Sequence, residues 1–100
     1  MSFLYLAQVA IPPEHEEEFN RLYDEEHIPS LLGVKGVTGA RRYKLEWGDA
    51  GMPEYLAVYD IDDPNLPKTP EWKAASDAGD WSVKIRPHLS VRLHGMFRSR

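Results

Sequence analysis

The succession of apolar and turn-rich segments in this 100-residue sequence predicts an α+β fold of ferredoxin-like β-α-β-β-α-β order, a four-stranded antiparallel sheet with helices on one face. Three observations carry that reading. Four segments have the aromatic, β-branched or alternating character of strands. Two others open with proline and carry apolar residues at spacings of three and four. Proline and glycine punctuate the boundaries between them.

Residues 3–11 (FLYLAQVAI) are apolar and are stopped by Pro12-Pro13, which reads as a mostly buried strand. Pro12-Pro13-Glu14-His15-Glu16-Glu17-Glu18 then opens a helix: proline fits the first turn, and the carboxylates favour the positive end of the helix dipole. Phe19, Leu22, Tyr23 and Glu26 follow at helical spacing. Pro29 either bends this helix near its end or opens a further turn through Leu31-Leu32, and Gly33 and Gly36 close the segment.

Residues 37–47 alternate as the second strand. Val37, Gly39, Arg41, Tyr43, Leu45 and Trp47 share one face, while Thr38, Ala40, Arg42, Lys44 and Glu46 share the other. Residues 48–53 turn the chain into the third strand, 54–61, as an antiparallel hairpin, and 62–67 are loop. Thr69 caps a second helix with Pro70 in its first position, and Trp72 and Ala75 begin its short apolar face. Residues 81–87 read as a connection, and 88–97 alternate as the fourth strand. A single sheet leaves its second face uncovered. Strands that are apolar or aromatic on both sides argue that a second copy meets it there.

One hundred residues fit one domain, 1–100, and 42% hydrophobic residues are enough to fold it. The absence of cysteine excludes a disulfide scaffold, a thiol nucleophile and Cys-based metal sites. A net charge of −4 argues against non-specific nucleic-acid binding, which runs on counterion release by basic residues. No apolar run approaches the roughly 20 residues of a membrane span. The first residues lack a positive leader, so a cytoplasmic protein is expected.

Tyr23-Asp24-Glu25-Glu26-His27-Ile28-Pro29 is the densest chemical cluster. Tyr23 and His27 are one helical turn apart, and a histidine beside a phenol suits proton transfer to or from a substrate oxygen or enolate. Spacing alone favours the plainer alternative, a helix-end histidine near the negative dipole end with Tyr23 packed on the core. Metal binding is not expected: Glu26 and His27 are adjacent and diverge on a helix, and His88 and His94 are too far apart on one strand.

Arg41-Arg42-Tyr43 is the second feature. Consecutive strand residues point opposite ways, so one arginine could face an anionic substrate while the other pairs at the surface. Arg41 with Tyr43 is preferred if their face meets the helices. Arg42, beside Lys44 and Glu46, has the look of a solvated position. His88, after Pro87, either approaches the same cavity as His27 or faces solvent. No nucleotide-binding glycine motif, nucleophile elbow or RNA-binding signature is found.

The stretch FNRLYDEEHIPSLL (19–32), followed by Gly36-Val37 and Ala40-Arg41-Arg42-Tyr43, resembles the EthD-like branch of the dimeric α+β barrel superfamily. Tyr55-Leu56-Ala57-Val58-Tyr59, Pro70-Glu71-Trp72 and Arg86-Pro87-His88 extend the resemblance over nearly the whole chain. It implies a homodimer whose sheets form a central barrel, with a cavity in each subunit between helices and sheet. Relatives in the superfamily include muconolactone-type isomerases, polyketide cyclases and cofactor-free monooxygenases. His27 matches the motif histidine and Tyr23 the aromatic ahead of it; His88 has no assured counterpart, and the ligand pattern of the heme-degrading relatives is not found.

The resulting expectation is an enzyme without cofactor or metal, of isomerase, cyclase/dehydratase or lyase type, acting on an aromatic or cyclic oxygenated metabolite. His27 is its acid or base, Tyr23 orients the substrate oxygen, and Arg41 with Tyr43, or His88, holds an anionic group. Such a site needs a cavity of about 300 Å³ or more beside His27. The rival expectation is a non-catalytic homodimer that binds a metabolite or assists a partner enzyme, with His27 structural.

Overall fold

Pro13 and Pro29 bracket one long helical body that the computed structural model, which describes residues 2–100, divides into four parts. A 3-10 turn (Pro13–His15) leads into α1 (Glu16–Leu22), a π turn (Tyr23–His27) and α2 (Ile28–Leu32). Of the two expectations for Pro29 the structure has the second: it stands in the first turn of α2, which runs through Leu31-Leu32. In a regular α-helix Pro29 would lack the N–H owed to the Glu25 carbonyl, and its ring would clash with that carbonyl. The π turn relieves this by inserting one residue, with the Ile28 N–H donating to the Tyr23 carbonyl five residues back.

β1 (Phe3–Ala10) precedes this body, and β2 (Val37–Lys44) and β3 (Tyr55–Ile61) follow it. The Thr69 hydroxyl caps α3 (Pro70–Asp77) by accepting from the Trp72 N–H. The segment expected as a plain connection is instead helical. A second π turn (Trp81–Ile85) closes with the Arg86 N–H on the Trp81 carbonyl and is followed at once by Pro87, repeating the arrangement before Pro29. β4 (Val91–Arg98) ends the fold.

The strands form one antiparallel sheet in the order β2-β3-β1-β4, the ferredoxin-like topology expected from the sequence. Tyr5, Ala7 and Val9 of β1 lie opposite Tyr59, Ala57 and Tyr55 of β3, and opposite Met96, His94 and Arg92 of β4. The helices pack on that face. Phe19, Tyr59, Leu31, Ile61 and Ile85 are the most completely buried side chains. The Ser30 hydroxyl donates to the Ala75 carbonyl at 2.7 Å, tying α2 to α3. No helix among the described residues is long and apolar enough to cross a membrane.

The opposite face carries Leu4, Leu6, Leu56, Val58, Leu93 and Phe97 and is bare in the single chain, with Leu93 54% and Phe97 56% exposed.

Two boundaries and one register differ from the sequence reading. β2 stops at Lys44, and Trp47 stands 85% exposed in the hairpin extension beyond it. β4 starts at Val91, which leaves His88 in a 3-10 turn. A bulge between Val37 and Gly39 shifts the β2–β3 register by one residue. One extra residue reverses the parity of everything after it. Ala40, Arg42 and Lys44 therefore join Val37 on the helix side, and Arg41 and Tyr43 go to the bare face.

Candidate functional site

The first π turn places Tyr23 and His27 on the inner side of the helical body, 3% and 7% exposed. Their rings meet edge to face at 5.1 Å. Trp81, from the second π turn, stacks on the His27 ring at 4.6 Å and an interplanar angle of 27°. Glu26 joins the two turns, its carboxylate accepting from the Trp81 backbone N–H at 2.6 Å. This approach needs Gly79: its φ is +72°, and a Cβ there would lie 2.5 Å from the Glu26 carboxyl carbon.

These groups border a cavity of about 210 Å³ between the helical body and the β1–β4 edge of the sheet. The space exists because β1 contributes Ala7 and Val9 to its floor, where longer side chains would fill it. Tyr23, Tyr59, Trp72 and Trp81 supply aromatic walls, while Arg86, Arg92 and His94 add polar groups.

His27 is held neutral. Burial, followed by the positive charges of Arg86, Arg92 and Arg42, pushes its pKa down to about 3. Its Nδ1 is buried with no hydrogen-bond partner. The Tyr23 and Tyr59 hydroxyls are 3.4 Å apart, and burial raises both their pKa values, so both phenols stay protonated. Arg42 braces the Tyr23 ring from outside the cavity: its guanidinium lies 4.3 Å from the ring centroid and bonds to Asp24 at 2.7 Å and Asn20 at 2.8 Å. The site thus combines a neutral imidazole, a pair of hydroxyls of which one donates to the other, and a flat aromatic wall. No group of three or more His, Asp or Glu able to hold a metal is found among the described residues.

Of the residues singled out in the sequence, Tyr23 and His27 come together on this cavity. Arg41, Tyr43 and His88 do not reach it. Arg41 pairs with Asp60 at 2.7 Å on the bare sheet face, and Tyr43 stands 50% exposed on that same face. The bulge sends them there, and it brings the arginine expected to be solvated, Arg42, to 15% side-chain exposure. His88 stacks on His15 at 3.9 Å, away from the cavity. The cations that border the site are Arg86 and Arg92, neither of which the sequence reading selected. Arg92 and His94 did alternate on one strand face in the sequence; what was not legible is that this face opens beside Ala7 and Val9.

Solved structures match the whole chain in fold. An EthD family protein from Bacillus halodurans superposes with a TM-score of 0.71 at 17% identity, covering 100% of both chains. A dimeric ferredoxin-like protein from Thermobifida fusca matches with a TM-score of 0.66 at 17% identity, over 99% of this chain and 92% of that one. A candidate antibiotic biosynthesis monooxygenase from Bordetella bronchiseptica gives 0.70 at 11% identity, over 99% and 97%. No protein-family model and no curated protein matches. The resemblance read from the sequence is therefore met by a full-length structural match to an EthD family protein, and the subunit fold is that of the dimeric α+β barrels.

Proposed function

We propose that this subunit of dimeric α+β barrel fold is a small-molecule proton-transfer enzyme working as a homodimer, with His27 as the proton acceptor and donor and Tyr23, backed by Tyr59, as the hydroxyl that steadies substrate oxygen. The observation that carries this reading is a neutral imidazole beside two protonated phenols on one cavity. A neutral histidine can take a proton from a carbon next to a carbonyl. The electron pair then moves onto the carbonyl oxygen, where a tyrosine O–H stabilises the enolate. Return of the same proton from His27 to a different carbon completes an isomerisation with no cofactor in the balance.

The volume narrows the substrate. At about 210 Å³ the cavity is below the roughly 300 Å³ expected from the sequence and above the ~150 Å³ that encloses a benzene ring. One small ring or a short chain suits it better than a multi-ring polyketide. The bare face of Leu4, Leu93 and Phe97 is where the second copy would sit, leaving the helix side of each subunit for chemistry.

Binding without turnover is the second reading, favoured by one feature: no carboxylate or other group bonds His27 Nδ1 to orient the ring as a base. Deuterium exchange into enolisable single-ring ketones and lactones separates the two. Wild-type exchange that is lost in His27→Gln and reduced in Tyr23→Phe, with melting temperatures kept, supports catalysis. Exchange by His27→Gln at the wild-type rate would remove the assigned role. Saturable binding with no exchange in the wild type would establish the binding reading instead.

A further inference from the structure

We propose that the ligand of this cavity is a compact organic monoanion, and that Arg92 selects it by holding its carboxylate at the cavity mouth while its flat body lies between Trp72 and Trp81. This rests on the cavity being the ligand site, as argued above. An outer cleft of about 470 Å³ shares Trp72, Ser76, Arg86 and Arg92 with the inner cavity, so the two adjoin at these side chains. Lys68, Lys73, Arg86 and Arg92 line the cleft against one carboxylate, Asp77, in a chain whose net charge is −4. A local cation excess on an acidic protein attracts anions to that place.

Within the group, Lys68 and Arg92 are in no ion pair among the described residues, and of the two only Arg92 also borders the inner cavity. Arg86 is fixed by Asp77 Oδ1 at 2.6 Å and by the Ser76 carbonyl and hydroxyl at 2.6 and 2.9 Å. Lys73 pairs with the other Asp77 oxygen at 3.0 Å. No ion pair among the described residues includes Arg92. Arg92 lies on the edge strand β4, opposite Val9 of the cavity floor, on the helix side of the sheet, where it is exposed. An uncommitted guanidinium presents a planar fork that matches a carboxylate. The His27 ring borders the same cavity and supplies a second polar group for the ligand. Burial and Arg86 depress the basicity of His27 most, and Arg92 adds to them, so an anion bound to Arg92 offsets that smaller part and raises the His27 pKa.

The test titrates the full chain with benzoate and with benzamide, its neutral counterpart, while following the His27 ring resonances by NMR, assigned through His27→Gln. Benzoate is expected to shift these resonances saturably and to raise the titration midpoint of His27. Arg92→Gln should weaken benzoate about tenfold or more and change benzamide by less than about twofold, with Arg92→Lys falling between. Equal benzoate affinity in wild type and Arg92→Gln overturns the anion role and leaves the cavity reading standing. A matching loss of benzamide overturns it too, since Arg92 would then shape the cavity and not select charge. If neither compound moves His27 in the wild type, the cavity reading itself fails and the anion proposal falls with it.

Discussion

Acid should weaken this fold through one residue, His27, in a window where most carboxylates are still ionised. His27 titrates at about 3 in the folded chain, against about 6.5 when unfolded. Between those values the unfolded chain binds a proton that the folded chain refuses. Stability is therefore complete above about pH 6.5 and declines as pH falls toward 3. The two pKa values differ by about 3.5, and at about 1.4 kcal/mol per unit the full penalty approaches 5 kcal/mol. From pH 6 to 4.5 the loss is about 2 kcal/mol, a large share of the 5–15 kcal/mol typical of a domain. The charges acting on His27 are Arg86, Arg92 and Arg42, all cationic throughout this range. His94, also depressed by burial and by Arg92 and Arg86, contributes in the same direction. Comparing wild type with His27→Gln cancels that contribution, together with those of Glu16, Glu18 and Asp77. Urea midpoints at one protein concentration, taken from about pH 7 to about 4.5, should fall more steeply for the wild type. Parallel pH profiles for the two proteins would refute the buried, neutral state of His27.

Other perturbations reach different parts of the molecule. Gly79→Ala forces a Cβ onto a left-handed backbone and into the Glu26 carboxylate; it should cost about 1–2 kcal/mol in denaturation and alter the Trp81 fluorescence that the Glu26 contact fixes. Ala7→Leu fills the cavity floor, and calorimetry should find stability maintained or raised by about 0.5–2 kcal/mol while ligand binding disappears. Phe97→Arg places a charge on the bare sheet face, and sedimentation should show dimer giving way to monomer; an unchanged dimer would move the interface elsewhere.

The elements most visible in the sequence were those that follow from local chemistry. Pro12-Pro13 ending a β-branched run, Thr69-Pro70 opening a helix and the alternation in β4 each fix backbone preference within a few residues. The bulge in β2 was less visible, because its effect is on parity and two readings of one strand carry the same composition. Gly39 was the available signal. A Cβ there would lie 2.7 Å from the Asp60 carboxylate that pairs with Arg41, the kind of close approach that marks an irregular strand position. The Tyr23–His27 pairing was legible from spacing, but its burial was not, since that depends on Trp81 arriving from 54 residues later through Glu26. Arg92 had no local mark at all. Its setting comes from β4 lying at the sheet edge, a fact of topology.

Each π turn holds one residue more than the α-helical path through the same space, and this makes the site sensitive to residue count as well as residue identity. Remove one position between Tyr23 and Ile28, exchange Pro29 for alanine, and the body from 16 to 32 can close as an unbroken α-helix. Such a helix would gain regular hydrogen bonding. It would leave the flanking halves, Phe19 included, where they are, and put Tyr23 and His27 three residues apart in place of four, changing the angle at which their rings meet. The deletion thus sets helix stability against site geometry, and a chain shortened there should hold a firmer helix around a disturbed Tyr23–His27 pair.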